Sequence, residues 1–437
     1  MKKRILLFLL ALVLGSLLGG CAVPTVDQLY CVPRRPQSYS DLQRVFDTAM
    51  SGLDYSAPRN GKNLQTIQME DLDGDGVREY LIFARSEGEN SLRILIFAQG
   101  EEGYTLTDTL ECSGASFDQV EYIQMDGKGS MELLVGTRIS EQVYRSLGVY
   151  SYSQGKAQRV MSTSYVKYLT CDLDTDGLGE ILVLKPGVTD ADLGAAALCR
   201  IADGAGRRSN EVALSCPVDR LDRIQTGMLT GGTPGVFISG AADSGAVITD
   251  VLTLEAGQLR NAALAAPTGT VTQPLGDKGI YPMDVDADGE IELPALVKAR
   301  EPNGALTQKL IRWYALSPEG TETDKCHTYH DYQNDWYLTL ENSWIPQLRI
   351  SRSQDSVAFH LEDPETGQVE KIFTVYILMG QNREENAVIE NRFILHKGEN
   401  VIYAARLEVA SGALSITQED LISSFRLITQ AWKSGEM

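Results

Sequence analysis

Three nine-residue segments of the chain share a pattern with four carboxylates, Asp-x-Asp-x-Asp-Gly-x-x-Glu. They span residues 71–79, 172–180 and 284–292. Carboxylates at this density repel one another unless a cation compensates them, and Ca²⁺ takes six to eight oxygen ligands from acidic turns with glycine at the sixth position. The pattern predicts three calcium sites, and the alternative is a solvated acidic turn without an ion.

The ligand positions follow by analogy with the calcium loop of helix–loop–helix proteins. Positions one, three and five give side-chain oxygens, position seven a backbone carbonyl, and position nine a carboxylate that chelates. The candidate ligands are Asp71, Asp73, Asp75, Val77 and Glu79; Asp172, Asp174, Asp176, Leu178 and Glu180; and Asp284, Asp286, Asp288, Glu290 and Glu292. The glutamate stands at position nine rather than twelve, so the segments are not helix–loop–helix calcium hands.

A short apolar run follows each acidic segment, at residues 80–84, 181–184 and 293–297. Such runs between turn residues are typical of buried strands, so each acidic loop is predicted to join two strands. Pro294 lacks the N–H that a ladder needs, which indicates a bulge or an edge strand there.

Two eroded copies lie between the complete ones. Residues 126–132 keep the second Asp, the Gly and the Glu, but Lys128 replaces the third Asp, and its ammonium is expected where the ion would lie. Residues 227–235 have lost all four carboxylates. The ninth positions are residues 79, 132, 180, 235 and 292, which gives steps of 48 to 57 residues. A period near fifty indicates stacked or radial repeats, and each repeat has room for four strands.

The loop followed by an apolar strand resembles the FG-GAP/VCBS repeats of integrin-α-type propellers, and it is similar to repeat-bearing lipoproteins of Firmicutes. This resemblance covers about residues 60–325. It implies a mainly β chain with a β-propeller of about five four-stranded blades at residues 60–328; a sixth blade built from terminal segments stays open. It also implies Ca²⁺ at positions one, three, five and nine of the three complete copies, and no ion at the eroded ones.

The N-terminus predicts the cellular compartment. Lys2-Lys3-Arg4 precedes an apolar stretch that ends at Gly19-Gly20-Cys21, as in a secretory signal peptide over residues 1–20. The last residues resemble the lipobox of bacterial lipoproteins, which implies a diacylated Cys21, a tether over residues 21–37 and location on the outer face of the cell membrane. The alternative is an ordinary secretory signal with a chance cysteine.

The net charge restricts the kinds of partner, and the cysteine spacing restricts the metal and disulfide chemistry. The net charge is −20, and removal of the signal peptide takes away three cations and leaves about −23. Nucleic acid and anionic lipid headgroups need basic patches, so neither is expected as a partner. The six remaining cysteines form no zinc pattern and are interpreted as small buried residues; one pairing, Cys199 with Cys216, is left open.

Two further elements flank the repeats. Apolar residues at helical spacing predict an N-terminal helix within residues 38–55 that packs on one end of the propeller. A small α+β domain is predicted over residues 331–437, with six strands and a closing helix that begins after Thr417 and continues to Trp432.

Other candidate chemistry is sparse. His327 and His330 lie in Cys-His-x-x-His, which lacks the paired spacing of zinc sites, so they are interpreted as structural hydrogen-bonded histidines. The sequence contains no nucleophile elbow, phosphate loop or dinucleotide motif. We therefore expect a monomeric, non-catalytic surface protein that binds a protein or glycan, with Tyr144, Tyr150, Tyr152 and Trp313 as candidate exposed aromatics. The alternative is an extracellular hydrolase or lyase acting on polysaccharide or peptide, with its site in a central depression or around residues 327–335.

Overall fold

The computed structural model describes residues 37–87, 92–139, 145–189, 192–276, 278–408 and 416–429. The predicted signal peptide, Cys21, the tether as far as residue 36, Cys31 and Tyr144 lie outside these ranges. No helix within them is long and apolar enough to cross a membrane. The described chain is mainly β and forms successive antiparallel sheets, as the sequence predicted.

The N-terminal helix α1 spans Gln37–Ala49, where the sequence predicted a helix within residues 38–55. It ends earlier because the chain turns at Gly52, whose φ of +78° lies in the left-handed region that glycine tolerates. Phe46 on the helix and Met50 directly after it are buried against the first sheet.

The first four sheets follow the repeats in chain order. A short 3-10 helix at Val218–Arg220 connects the third sheet to the fourth, and another at Ala262–Leu264 lies between the last two strands of the fourth sheet. The first sheet contains β1 (Asp54–Tyr55), β2 (Ile67–Glu70), β3 (Glu79–Arg85), β4 (Leu92–Gly100) and β5 (Gly103–Cys112). The second contains β6 (Ser116–Ile123), β7 (Glu132–Arg138), β8 (Arg145–Ser153) and β9 (Lys156–Tyr165). The third contains β10 (Lys167–Cys171), β11 (Glu180–Lys185), β12 (Ala195–Ala202), β13 (Ala205–Arg208) and β14 (Val212–Ala213). The fourth contains β15 (Leu221–Leu229), β16 (Thr233–Ala241), β17 (Val247–Glu255), β18 (Gln258–Asn261) and β19 (Val271–Thr272).

The remaining chain forms two five-stranded sheets. The fifth sheet begins with β20 (Leu293–Ala299), β21 (Gln308–Leu316), β22 (Glu322–Asp331) and β23 (Trp336–Leu340). The sixth contains β24 (Leu348–Arg352), β25 (Ser356–Glu362), β26 (Val369–Met379), β27 (Phe393–Lys397) and β28 (Val401–Leu407). Helices α2 (Arg383–Asn386) and α3 (Gln418–Ser424) and 3-10 turns at Asn342–Trp344 and Ile389–Asn391 complete this part. Pro294 lies on β20, the edge strand of its sheet, as predicted.

Alternate residues of the central strands enter different cores, because side chains point to opposite faces of a strand in turn. Leu81 and Phe83 of β3 pack against the second sheet, whereas Ile82 and Ala84 pack against α1. The same alternation recurs in the next three sheets. On β7, Leu133 faces the first sheet and Leu134 faces the third sheet. On β11, Ile181 faces the second sheet and Leu182 the fourth sheet, and on β16, Val236 faces the third sheet and Phe237 the fifth sheet. Strands buried on both faces need continuous apolar runs, which explains the runs that follow the acidic loops.

The cores join each sheet to the next one along the chain. Among the described residues, none of the hydrophobic cores contains residues of both the first and the fifth sheet. The outer face of the first sheet is covered by α1 instead. The fifth and sixth sheets share the largest aromatic cluster, in which Tyr329 and Trp336 meet Phe359 and Phe373.

Two features of the C-terminal part differ from the sequence-based expectation. The boundary expected at residue 331 falls in a β-hairpin, since Trp336 of β23 pairs with Asp331 of β22 in the fifth sheet. The closing helix begins with Thr417 as its cap, as predicted, but ends at Ser424 rather than continuing to Trp432, which lies outside the described residues. Strand β29 (Phe425–Leu427) follows it and pairs with β23, because Phe425 is buried against Trp336.

Cys199 and Cys216, whose pairing the sequence left open, do not form a disulfide. Both thiols are free, as are the other described cysteines, Cys112, Cys171 and Cys326. Cys199 lies in the core between the second and third sheets, whereas Cys216 lies in the core between the third and fourth. The two side chains are therefore separated by the third sheet itself, which the spacing along the sequence does not reveal.

Candidate metal centres

The three acidic loops occupy equivalent places, each directly before the apolar strand of its sheet. Residues 71–79 connect β2 to β3 and residues 172–180 connect β10 to β11. Residues 284–292 precede β20, and an isolated bridge between Met283 and Glu292 closes that loop in the same way. Each ninth-position glutamate is thus fixed at the point where a buried strand begins.

One hydrogen-bond pattern shapes all three loops. The backbone N–H of position two donates to Oε2 of the position-nine glutamate, at 2.8 Å for Leu72 and Glu79. The corresponding distances in the second and third loops are 2.7 Å and 2.8 Å. In addition, the N–H of position six donates to the position-one carboxylate, and the N–H of position seven donates to Oδ1 of position five. The aspartates thereby fold the turn around themselves.

The loops bring the carboxylates of positions one, three and nine together. In each loop one oxygen from each of these residues lies within 4.8 Å of the other two; the groups are Asp71, Asp73 and Glu79; Asp172, Asp174 and Glu180; and Asp284, Asp286 and Glu292. The position-five aspartates, Asp75, Asp176 and Asp288, are outside these groups. Each structural triad is therefore smaller than the five-ligand set predicted from the pattern.

Burial makes the position-nine glutamates unusual. Glu79, Glu180 and Glu292 are between 0% and 3% exposed. Burial, together with the charges of the neighbouring aspartates, raises the pKa of each to about 7, although the backbone hydrogen bond acts in the opposite direction. A bound cation would relieve both the burial cost and the repulsion between these charges.

Two carboxylate oxygens in the triads are buried without a hydrogen-bond partner, Asp172 Oδ1 and Glu292 Oε1. Buried carboxylate oxygens usually have a hydrogen-bond partner or an ion as a ligand. The two oxygens without a hydrogen-bond partner are therefore consistent with an ion in these triads. Oxygen-only ligands around an acidic turn suit a hard divalent cation. The three clusters can therefore hold a metal ion, with the triad residues as its carboxylate ligands.

The glycine at position six has the predicted positive φ, between +83° and +92° in the three loops. Position four also has a positive φ, at Gly74, Thr175 and Ala287, which the sequence reasoning missed because only one of these residues is a glycine. At Gly74 the requirement is also steric, since a Cβ atom there would lie 2.6 Å from the carbonyl oxygen of Gly129 in the second sheet.

The eroded copies keep the turn without the acidic triad. In the second sheet Lys128 Nζ lies 2.6 Å from Asp126 Oδ2, so an ammonium compensates the carboxylate, as predicted. The position-nine contact survives there, with Met125 N–H donating to Glu132 Oε2 at 2.8 Å. In the fourth sheet the loop has become a tight turn between β15 and β16, which pair as far as Leu229 and Thr233.

Loops of neighbouring sheets contact each other at one edge of the array. The N–H of Met131 donates to the carbonyl of Leu72 at 3.1 Å, and the N–H of Gly179 donates to that of Gln124 at 2.7 Å. A third contact, Ile291 N–H to Met228 carbonyl, joins the fourth and fifth sheets at 2.9 Å. The acidic loops therefore link adjacent sheets as well as the strands of their own sheet.

A cleft of about 790 Å³ opens beside the third acidic loop. Its walls come from the fifth sheet, the 3-10 turn Asn342–Trp344 and α3, and they include Asp286, Lys325, Glu341, Trp344 and Asp420. Asp286 belongs to the third triad, and Asp420 accepts hydrogen bonds from Thr417 in the cap of α3. Trp344 is partly exposed and lines this space.

The three candidate aromatics that lie within the described residues are not exposed. Tyr150, Tyr152 and Trp313 are at most 9% exposed, because they pack within and between sheets. The two histidines make hydrogen bonds, as interpreted from sequence: His327 Nδ1 lies 2.8 Å from Asn342 Oδ1, and His330 Nε2 lies 2.8 Å from Thr328 Oγ1.

A scan against protein-family models found no match, and a search of curated proteins found none. Among solved structures, the chain has 13% identity and a TM-score of 0.29 to the exotype rhamnogalacturonan lyase YesX, over 74% of this chain and 65% of that one. Saccharomyces cerevisiae Sqt1 has 9% identity and a TM-score of 0.30, over 72% of this chain and 91% of Sqt1. The Bacillus licheniformis rhamnogalacturonan lyase PL11 has 10% identity and a TM-score of 0.29, over 73% of this chain and 72% of the lyase. The chain thus spans less than two thirds of YesX, and the low TM-scores carry no argument about fold or activity.

Proposed function

We propose that this protein is a calcium-stabilised, non-catalytic binding module for a protein or glycan, held on the outer face of the cell membrane by a lipid on Cys21. The observation that carries the proposal is the triad that recurs in three loops, each built on a buried glutamate. Calcium is the cation proposed, because it accepts oxygen-only ligands in acidic turns and is plentiful outside the cell.

The triads favour a structural role for the ion. Each lies where a loop joins the first strands of one sheet and contacts the loop of a neighbouring sheet. An ion there would bind the folded loop and not the unfolded chain, which stabilises the fold by mass action. The eroded loops at Lys128 and at residues 229–233 have the same place in their sheets without a triad, so the fold tolerates the loss of individual ions.

We also propose that the first five sheets are arranged as the blades of a propeller related to FG-GAP/VCBS repeats. The strand order and the loops gathered at one edge support this arrangement. Helix α1 covers the face of the first sheet that would meet the fifth sheet in a closed ring, so we propose an open array. Small-angle X-ray scattering tests this, since a closed ring of blades and an open array give different distance distributions.

The proposed ligand site is the cleft beside the third loop. Its volume lies in the range of ligand pockets, and Trp344 provides an aromatic face together with polar groups. The test is binding of the purified protein to immobilised glycans and cell-surface proteins in millimolar calcium. Trp344→Ala should abolish binding, whereas Tyr55→Ala, which truncates an exposed aromatic of the first sheet, should not. Equal binding by wild type and Trp344→Ala would exclude this site.

A second candidate function is a hydrolase or lyase acting on polysaccharide or peptide in the same cleft. The observation that favours it is the presence of Glu341 and Asp420 in one cavity. Asp420 already caps α3, however, and those hydrogen bonds lower its pKa. A cleavage activity that Glu341→Gln removes would establish the enzyme, and cleavage that this variant leaves unchanged would exclude Glu341 from the chemistry.

The lipid anchor has its own test. Cys21→Ala should move the protein from the membrane fraction to the soluble fraction, because two acyl chains give stable membrane attachment and a net charge of −20 disfavours electrostatic attachment to anionic lipid in their place. Mass spectrometry of the N-terminal peptide from the wild type should find a diacylated cysteine. Retention of the variant in the membrane would contradict the proposed anchor.

A further inference from the structure

An ammonium already lies against the third acidic loop. Lys325 on β22 forms ion pairs with Asp288 at position five and Glu290 at position seven, and its Nζ lies 3.0 Å from Glu290 Oε2. The Lys325 side chain is 21% exposed, so the contact is partly shielded from water. The ammonium also lowers the pKa of the Asp288 carboxyl.

A β-bulge aims Lys325 at the loop. Between β21 and β22, Trp313 pairs with Cys326 and Tyr314 pairs with Asp324, which leaves Lys325 as the extra residue. Bulges redirect side chains and are common beside functional sites. The equivalent hairpins of the first and second sheets carry the same bulge, and their extra residues are Thr107 and Val160, which have no charge.

The position-five carboxylate therefore differs between the loops. In all three loops its Oδ1 accepts the N–H of position seven. In the third loop its Oδ2 is paired with Lys325, whereas Asp75 and Asp176 form no ion pair with any residue in the described ranges. The nearest cation to the second loop is Arg200, 3.9 Å from Asp174 and largely exposed.

We infer that Lys325 is a built-in counterion that competes with calcium and makes the third loop the weakest of the three ion sites. This inference rests on the proposed function, in which the loops bind calcium. To ligate the ion, Asp288 must give up its ammonium, and a Lys325 that stays in place would lie beside a divalent cation of like charge. Both effects oppose binding at this loop. At the second loop the only such cation in the described ranges is the more distant and more exposed Arg200, whose effect is smaller.

The third loop, which is the weakest site, is also the one beside the cleft, since Asp286 and Lys325 line that cleft. The first two loops would then be filled at calcium concentrations that leave the third partly empty. The expected difference in affinity is about tenfold, which corresponds to about 1.4 kcal/mol.

Isothermal titration calorimetry of the chelator-stripped full chain with CaCl₂ tests the inference. Wild type should show two tighter sites and one weaker site. Lys325→Met should tighten the weaker site about tenfold. Lys325→Gln should have the same effect, and it serves as the second variant if circular dichroism shows that Lys325→Met folds poorly. Lys128→Met is the matched control, since it removes an ammonium from an eroded loop and should change neither class of site.

Two further variants assign the sites. Asp286→Asn should remove the weaker class, and Asp73→Asn should remove one of the tighter sites. Three equal sites in wild type, or unchanged affinities in both Lys325 variants, would overturn the inference while leaving the calcium proposal intact. No calcium uptake by any variant would overturn both.

Discussion

Leu72 donates its backbone N–H to the carboxylate of Glu79 at 2.8 Å, and this contact ties the start of the acidic loop to the strand that follows it. The eroded second loop has lost two aspartates but keeps the equivalent contact between Met125 and Glu132. The position-nine glutamate therefore has two roles. It holds the turn as a hydrogen-bond acceptor, and in the complete loops it also belongs to the carboxylate triad.

Glu79→Gln should separate these two roles. Glutamine keeps an acceptor for Leu72 but removes a charge whose pKa burial raises to about 7. A carboxyl with a raised folded-state pKa contributes stability that is present below the unfolded value and lost as pH rises through about 7. The variant should therefore stabilise the metal-free protein by up to about 3 kcal/mol at pH 8, and by less than about 1 kcal/mol at pH 5.

With saturating calcium the sign should reverse, because the variant has lost a charged ligand. Urea unfolding at both pH values, with EDTA and with calcium, measures all four states. Glu102→Gln, at an exposed turn between β4 and β5, is the control and should change none of them. Equal destabilisation of the metal-free and calcium-bound forms would mean that Glu79 acts only through its hydrogen bond.

Calcium should raise the melting temperature of the wild type. Binding only to the folded state stabilises it by about 2.7 kcal/mol per independent site at a hundredfold excess over Kd. Asp73→Ala should reduce this shift because it removes one triad ligand, and Lys128→Ala should leave it unchanged. Thermal melts in EDTA and in millimolar calcium that coincide for the wild type would contradict the calcium assignment.

The buried His330 should make the folded protein less stable in acid. Burial lowers the pKa of its imidazole to about 3, while the unfolded chain titrates near 6.5. The stabilising contribution is therefore present above pH 6.5 and is lost as pH falls from 6.5 toward 3, and the difference at pH 4 is about 3 kcal/mol. His330→Gln should flatten this part of the stability profile.

The matched control is His396→Gln on β27, where the side chain is only half-buried. Denaturant unfolding between pH 4 and pH 7.5 compares the two variants with the wild type. A profile for His330→Gln that falls as steeply as that of the wild type would show that other groups cause the acid loss.

Ala287 is the residue of the third loop with the clearest backbone strain. Its φ is +63°, in the left-handed region that costs a residue with a Cβ about 1 kcal/mol relative to glycine. Ala287→Gly should therefore stabilise the protein by up to about 1 kcal/mol in urea unfolding. Ala265→Gly is the control, since φ there is −88° and the same substitution should destabilise. Destabilisation by Ala287→Gly would show that the loop relaxes in solution.

The sequence predicted those features that depend on neighbours along the chain. The acidic pattern, the glycine at position six and the apolar run after Glu79 lie within about fifteen residues, so their chemistry and their strand-turn-strand form could be read together. The eroded loop at Lys128 was predicted for the same reason. The spacing of the five repeats predicted five successive four-stranded units, because the spacing depends only on positions along the chain.

The tertiary structure decided the features that depend on contacts between distant segments. Cys199 and Cys216 are separated because they lie in cores on opposite faces of the third sheet. Strand β29 joins the fifth sheet because Phe425 packs on Trp336. The ion pair between Asp288 and Lys325 spans 37 residues and depends on a one-residue register shift in a hairpin. The sequence by itself determined which residues can hold an ion. Only the register of the folded strands decided which of those carboxylates already has a counterion.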